Sequence, residues 1–121
     1  MACNKKLSPD RTWANTRWVL IEMKGVPVQL SNTRRDAYIS FNADEKRFNG
    51  NGGCNQVSGN YSIDKNKIDF TEVISTKMSC DDIGFEQVFL ATLDKVNRFE
   101  EKDIRLMLKN DKDVILMFER R

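Results

Sequence analysis

The chain has no histidine among its 121 residues, and that absence closes off a large part of enzyme chemistry. Serine and cysteine nucleophiles activated by imidazole, imidazole general bases and His-ligated catalytic zinc all need a group that is neutral and basic near pH 7. Three cysteines without histidine also fall short of the four Cys or His ligands of a structural zinc site, so no metal or other cofactor is expected. No apolar run approaches the roughly 20 residues that span a bilayer. The start, Met1-Ala-Cys-Asn-Lys-Lys-Leu-Ser-Pro-Asp10, lacks the apolar core of a signal peptide, so the sequence as it stands is expected to be soluble. Clustered charge is missing too. Twenty basic and eighteen acidic side chains are interspersed for a net charge of +2, whereas nucleic-acid binders concentrate a basic stripe; no nucleic-acid partner is expected. There is no Cys-x-x-Cys spacing to poise a reactive thiolate, no internal repeat and no low-complexity tract.

What is present suits one globular domain. At 121 residues such a chain buries roughly two-thirds of its unfolded surface, and its 40% apolar and 31% charged residues lie far from the disordered class. Thr16-Arg-Trp-Val-Leu-Ile-Glu-Met-Lys24 is rich in β-branched and aromatic residues and predicts a strand. It is broken at Gly25-Val-Pro27 and continues into a short 28–30 segment. In 36–42, Ala37, Ile39 and Phe41 alternate with Tyr38 and Ser40, the period of a half-buried strand. Further strands are expected at 46–49, 58–63, 67–70, 73–78, 104–108 and 114–118, with hairpin turns at 42–45, 64–66 and 110–113.

One segment has a different period. Phe85, Phe89, Leu93 and Val96 recur three or four residues apart, which predicts an amphipathic helix over about 82–98 whose stripe packs on the sheet. Asp81 and Asp82 suit its N-cap, and Lys95 and Arg98 its C-terminal end. The fold class is therefore α+β: mostly antiparallel β, barrel-like or a strongly curved sheet, with one helix. Residues 1–13 read as an N-terminal tether and 14–121 as a single domain.

The run Gly50-Asn-Gly-Gly-Cys-Asn-Gln-Val-Ser-Gly-Asn-Tyr61 holds four of the six glycines. A phosphate loop needs Gly-Lys-Ser/Thr leading into a helix; here a strand follows, so the glycines are expected to serve turns and bulges. Cys54 and Cys80 stand 80 − 54 = 26 positions apart. A bridge closing such a loop stabilises by roughly 3–4 kcal/mol in the chain-entropy model, but two buried free thiols are an equally open reading of the spacing. Cys3, preceded by Ala2 and followed by Asn4-Lys-Lys6, is similar to the processed end of a bacterial lipoprotein, where a diacylated cysteine begins the mature chain; the alternative reading is a terminal cysteine without a role. The adjacent acids Asp81-Asp82 and Glu100-Glu101 do not face each other as glycosidase carboxylates do. They read as caps and loop charges, and no catalytic residue is expected. Asn60-Tyr-Ser62 matches a glycosylation sequon, meaningful only outside bacteria. Trp13, Trp18 and Tyr38 have no basic residues interleaved in a groove-like pattern and read as core or rim aromatics.

Several pieces occur together in a familiar order. Trp18-Val-Leu, Ile39-Ser-Phe41, Gly50…Gly53-Cys-Asn55…Gly59-Asn-Tyr61 and Thr76-Lys-Met78-Ser-Cys80 are followed by Glu86-Gln-Val-Phe-Leu90…Leu93 and Leu106-Met-Leu108…Leu116-Met-Phe118. Over roughly residues 14 to 119 the chain resembles the META (HslJ-like) domain family. The resemblance implies a compact, mostly antiparallel β domain with one helix, found in bacterial envelope proteins that are often lipoproteins, one of them heat-inducible. It implies a Cys54–Cys80 disulfide, makes Trp18, Gly50, Gly53, Asn55, Gly59, Tyr61, Thr76, Met78 and Glu86 structural positions, and carries no catalytic residue. The expected function is a non-enzymatic envelope domain, membrane-tethered through Cys3 and facing the periplasm, that supports envelope integrity or stress tolerance by binding a partner. The alternative is a barrel that binds a small ligand or peptide in a cavity lined by Phe41, Tyr61 and Phe118.

Overall fold

A computed structural model of the chain describes residues 9–13, 16–30, 36–77 and 83–121. A short 3-10 helix, Pro9–Trp13, precedes the strands β1 (Trp18–Met23), β2 (Val26–Pro27), β3 (Tyr38–Asn42), β4 (Arg47–Asn51), β5 (Gln56–Asp64) and β6 (Lys67–Ser75). The helix α1 (Ile83–Leu93) follows, then β7 (Arg98–Lys102), β8 (Arg105–Asn110) and β9 (Asp113–Arg120). The pairings between these strands are antiparallel, and from β3 to β9 each lies beside the next. β1 pairs with both β3 and β9. Eight of the described strands thus close a ring, while β2 folds back on the end of β1.

Closure follows from alternation. Ile39 and Phe41 of β3, Leu106 and Leu108 of β8, and Leu116 and Phe118 of β9 are all buried, two residues apart in each strand. Val57, Gly59 and Tyr61 keep the same period in β5, so one face of each strand turns inward. A ring of eight strands leaves an interior just wide enough for side chains to fill. Here they fill it: Phe41 meets Tyr61 at 5.0 Å between ring centroids, and Phe118 meets Phe89 of α1 at 6.3 Å.

The expected boundary at residue 14 shifts toward the N-terminus. Trp13 and Asp10 are both fully buried, so the packed unit includes the 3-10 helix. The Trp13 ring lies 4.6 Å from Phe41, 5.4 Å from Phe99 and 6.4 Å from Trp18, and its indole N–H donates to Glu101 Oε1 at 2.9 Å. Asp10 Oδ2 accepts from Lys46 Nζ at 2.6 Å and from Tyr61 Oη at 2.8 Å, which supplies the charged partner a buried carboxylate requires.

Other expectations change as well. The helix is shorter than 82–98, ending at Leu93; Val96 is still buried, but from the turn after it, and Arg98 opens β7. The expected N-cap residues Asp81 and Asp82 lie outside the described residues. The strand expected at 73–78 is the far half of β6, which passes through a bulge opposite Ser58/Asn60 with Glu72 at φ 52°. The short segment expected at 28–30 is displaced: the described strand is β2 at Val26–Pro27. The whole of β7 is additional, and its sequence Arg-Phe-Glu-Glu-Lys shows only Phe99 as an inward apolar residue.

Replacing the Trp13 indole by a methyl leaves a cavity in the middle of this aromatic cluster. Trp13→Ala is expected to cost about 3–5 kcal/mol, a large share of a domain's stability. Urea unfolding followed by circular dichroism measures it, and an unchanged midpoint would show that residue 13 lies outside the folded unit.

Candidate functional site

The motif residues of the glycine-rich run meet at one place, where the turn between β4 and β5 faces the first turn of α1. At its centre is Glu86, 2% exposed. Its Oε1 accepts the backbone N–H of Cys54 at 3.1 Å and that of Asn55 at 2.6 Å. Its Oε2 accepts the Asn55 side-chain amide at 2.7 Å. Asn55, 3% exposed, passes the chain on: its Oδ1 accepts from Thr76 Oγ1 at 2.9 Å, and Thr76 Oγ1 accepts the N–H of Gln56 at 3.1 Å. The Thr76 N–H then donates to the Gln56 carbonyl at 3.0 Å, fastening the end of β6 to β5.

The glycines make room for this clasp. A Cβ on Gly52 would stand 2.7 Å from Glu86 Cγ and 2.8 Å from Oε1, so any side chain there would push the carboxylate off the turn. Gly53 has φ +114°, a left-handed conformation that side chains disfavour. It lets two consecutive N–H groups, those of Cys54 and Asn55, converge on one oxygen. Asn51 Oδ1 closes the turn by accepting the Gly53 N–H at 2.6 Å. Glu86 also lies in the first turn of α1, where a negative charge is favoured by the helix dipole.

The remaining expected positions fall into two groups. Gly50 lies in β4 between Ile39 and Val57, where a Cβ would run into the Tyr38 carbonyl oxygen. Gly59 sits in β5 opposite the β6 bulge, against Phe48 and Thr71. These two shape the sheet beside the clasp. Tyr61 belongs to the separate Asp10–Lys46 cluster, and Trp18 is fully buried with the Arg120 guanidinium 5.1 Å from its ring. Cys54 stands in the clasped turn itself, whereas Cys80, Met78 and Cys3 lie outside the described residues. Asp10, Lys46 and Glu101 are connected to the core although no motif marks them: each is a single charged residue whose partner is distant in sequence.

Three donors converge on the two oxygens of Glu86, and the side chain is buried, so the carboxylate is placed to hold backbone. Among the described residues no group of three Cys, Asp or Glu side chains could hold a metal ion, and no helix is long and apolar enough to cross a membrane.

Truncating Glu86 strands two backbone N–H groups and one amide, each costly when buried. Glu86→Ala is expected to lower unfolding free energy by about 2–4 kcal/mol. Glu86→Gln should lose less, because Asn55 can turn its amide over and offer oxygen to the new NH2 group. Chemical denaturation of the three proteins should rank them wild type, Gln, Ala in falling stability; equal midpoints would show that the clasp contributes nothing.

The META domain model matches residues 11–121, and no curated protein matches the chain. Among solved structures, an NMR structure of a protein from Burkholderia xenovorans superposes with a TM-score of 0.71 at 19% identity, covering 100% of this chain and 97% of that one. A crystal structure of a DUF4847 family protein from Bacteroides vulgatus superposes with a TM-score of 0.65 at 15% identity, covering 93% and 96%. Likeness at these identities establishes the shared fold. The family match starts at residue 11 and so takes in Trp13, as the buried 3-10 helix requires; the chain belongs to the META domain family.

Proposed function

We propose that this META domain is a non-catalytic module of the bacterial cell envelope, tethered through a lipidated Cys3 and stapled by a Cys54–Cys80 disulfide. Its role is to support envelope integrity or stress tolerance by binding a partner. What supports the compartment is the assignment of Cys54 to a disulfide, because such bonds persist in oxidising compartments and are rare in the cytosol. With three cysteines in the chain, its mate is Cys80 or Cys3. Cys80 follows Thr76, whose hydroxyl and backbone are already bonded to Asn55 and Gln56, the two residues after Cys54, and that proximity favours it. A diacylated Cys3 gives stable anchoring because more than one chain is attached.

A binding role without catalysis is supported by what the motif residues do. The acid and amide at the centre of the motif are engaged in holding backbone and each other. Phe41, Tyr61 and Phe118, which would line an internal ligand cavity, belong to one packed cluster with Trp13 and Phe89. Contact with a partner then falls on the outer surface.

Mass spectrometry of the full-length protein from native membranes tests the anchoring. The expected result is an acylated Cys3 in the membrane fraction, with Cys54 and Cys80 resistant to alkylation until reduced. An unmodified Cys3 in a soluble cytoplasmic pool would overturn the proposal.

A further inference from the structure

The ring of strands has one weak joint. β6 is nine residues long, yet it pairs with β7 at a single position, Lys67↔Arg98. Two flanking bonds hold the joint, Ile68 N–H to Asn97 O at 3.2 Å and Phe99 N–H to Asn66 O at 2.9 Å. Beyond them, among the described residues, the far half of β6 has β5 on one side and no strand on the other. The bulge at Glu72 separates the paired start from this open end, and bulges commonly re-aim a strand beside a binding site.

The open end is flanked by α1. Val73, Ile74, Ser75 and Lys77 on one side and Leu90 and Asp94 on the other line a groove of about 480 Å³. That volume lies within the roughly 300–1,000 Å³ of ligand pockets. Ile74 is 65% exposed, an unusual placement for a large apolar side chain at a sheet edge, where lysine or proline usually blocks association.

We propose that this groove binds an extended peptide segment of a partner protein, which adds as a strand to the edge of β6 while its side chains lie against Leu90. A strand edge running beside a helix offers what an extended peptide needs: main-chain hydrogen-bonding groups on one wall and apolar contact on the other. Charge narrows the occupant. Lys77 and Asp94 line the same groove with opposite signs, which fits a segment carrying one acidic and one basic residue around an apolar one. Main-chain pairing gives affinity, and the alternate side chains give selectivity. Such a site rests on the partner-binding role proposed above and gives that role a surface and a kind of partner.

The test uses the full chain, with its disulfide intact, as bait for a displayed library of random 12-residue peptides. The enriched peptide is then titrated into isotopically labelled protein and followed by NMR. Expected are shifts at residues 73–77 and Leu90, at least tenfold weaker binding to Leu90→Glu, and a similar loss when alternate peptide amides are N-methylated. Lys77→Glu should prefer a peptide with its acidic residue changed to lysine. The proposal is overturned if no peptide is enriched, if N-methylated peptides bind equally well, or if the shifts fall elsewhere. Concentration-dependent self-association through β6 without peptide would instead assign the edge to a second copy of the chain, and would equally overturn it. These readouts concern the groove alone, so their failure is distinguishable from a failure of envelope anchoring, which is read at Cys3.

Discussion

The structure depends on one carboxylate. Glu86 is buried at the start of α1 and holds the β4–β5 turn through two backbone N–H groups and the Asn55 amide. A buried charge is costly unless hydrogen-bonded, and here most of its partners are main chain. The consequence runs both ways. The turn acquires its conformation because an acceptor waits for its donors, and the helix acquires its position because its carboxylate has one place to go. Through Asn55 and Thr76 the same network reaches the end of β6, so turn, helix and strand are fixed together.

This arrangement explains why the family's motif is rich in residues usually associated with chemistry, yet is occupied with structure. Glycine, asparagine, threonine and glutamate are here the parts of a turn-holding clasp: Gly52 leaves space for the carboxylate, and Gly53 adopts the left-handed conformation that turns two donors toward it. The interior is likewise committed, with Trp13 packed against both Phe41 and Phe99. On the outside of the barrel, the hydrogen-bonded ring thins to one residue pair between β6 and β7.

Much of this is legible in the sequence where burial alternates cleanly. β3, β8 and β9 stand out because Ile39 and Phe41, Leu106 and Leu108, Leu116 and Phe118 mark the inward face. β7 does not, since Glu100 and Lys102 are exposed and Glu101 is used for a hydrogen bond to Trp13, leaving one apolar residue as signal. The turn into β8 is hidden as well, because Asp103 takes the left-handed conformation where glycine would have announced it. The 3-10 helix escapes notice because Asp10 looks like a surface residue until folding brings Tyr61 and Lys46 to it. Glu86 is recognisable as part of a motif, but its partners lie 31 and 32 residues away, beyond any local pattern.

Coupling between that helix and that turn is therefore the quantity to measure. A double-mutant cycle on Glu86→Ala and Asn55→Ala, followed by equilibrium denaturation, isolates their shared hydrogen bond. A bond to a charged acceptor predicts a coupling energy of about 1.5–3 kcal/mol. Additivity within about 0.5 kcal/mol, the behaviour of independent sites, would contradict it.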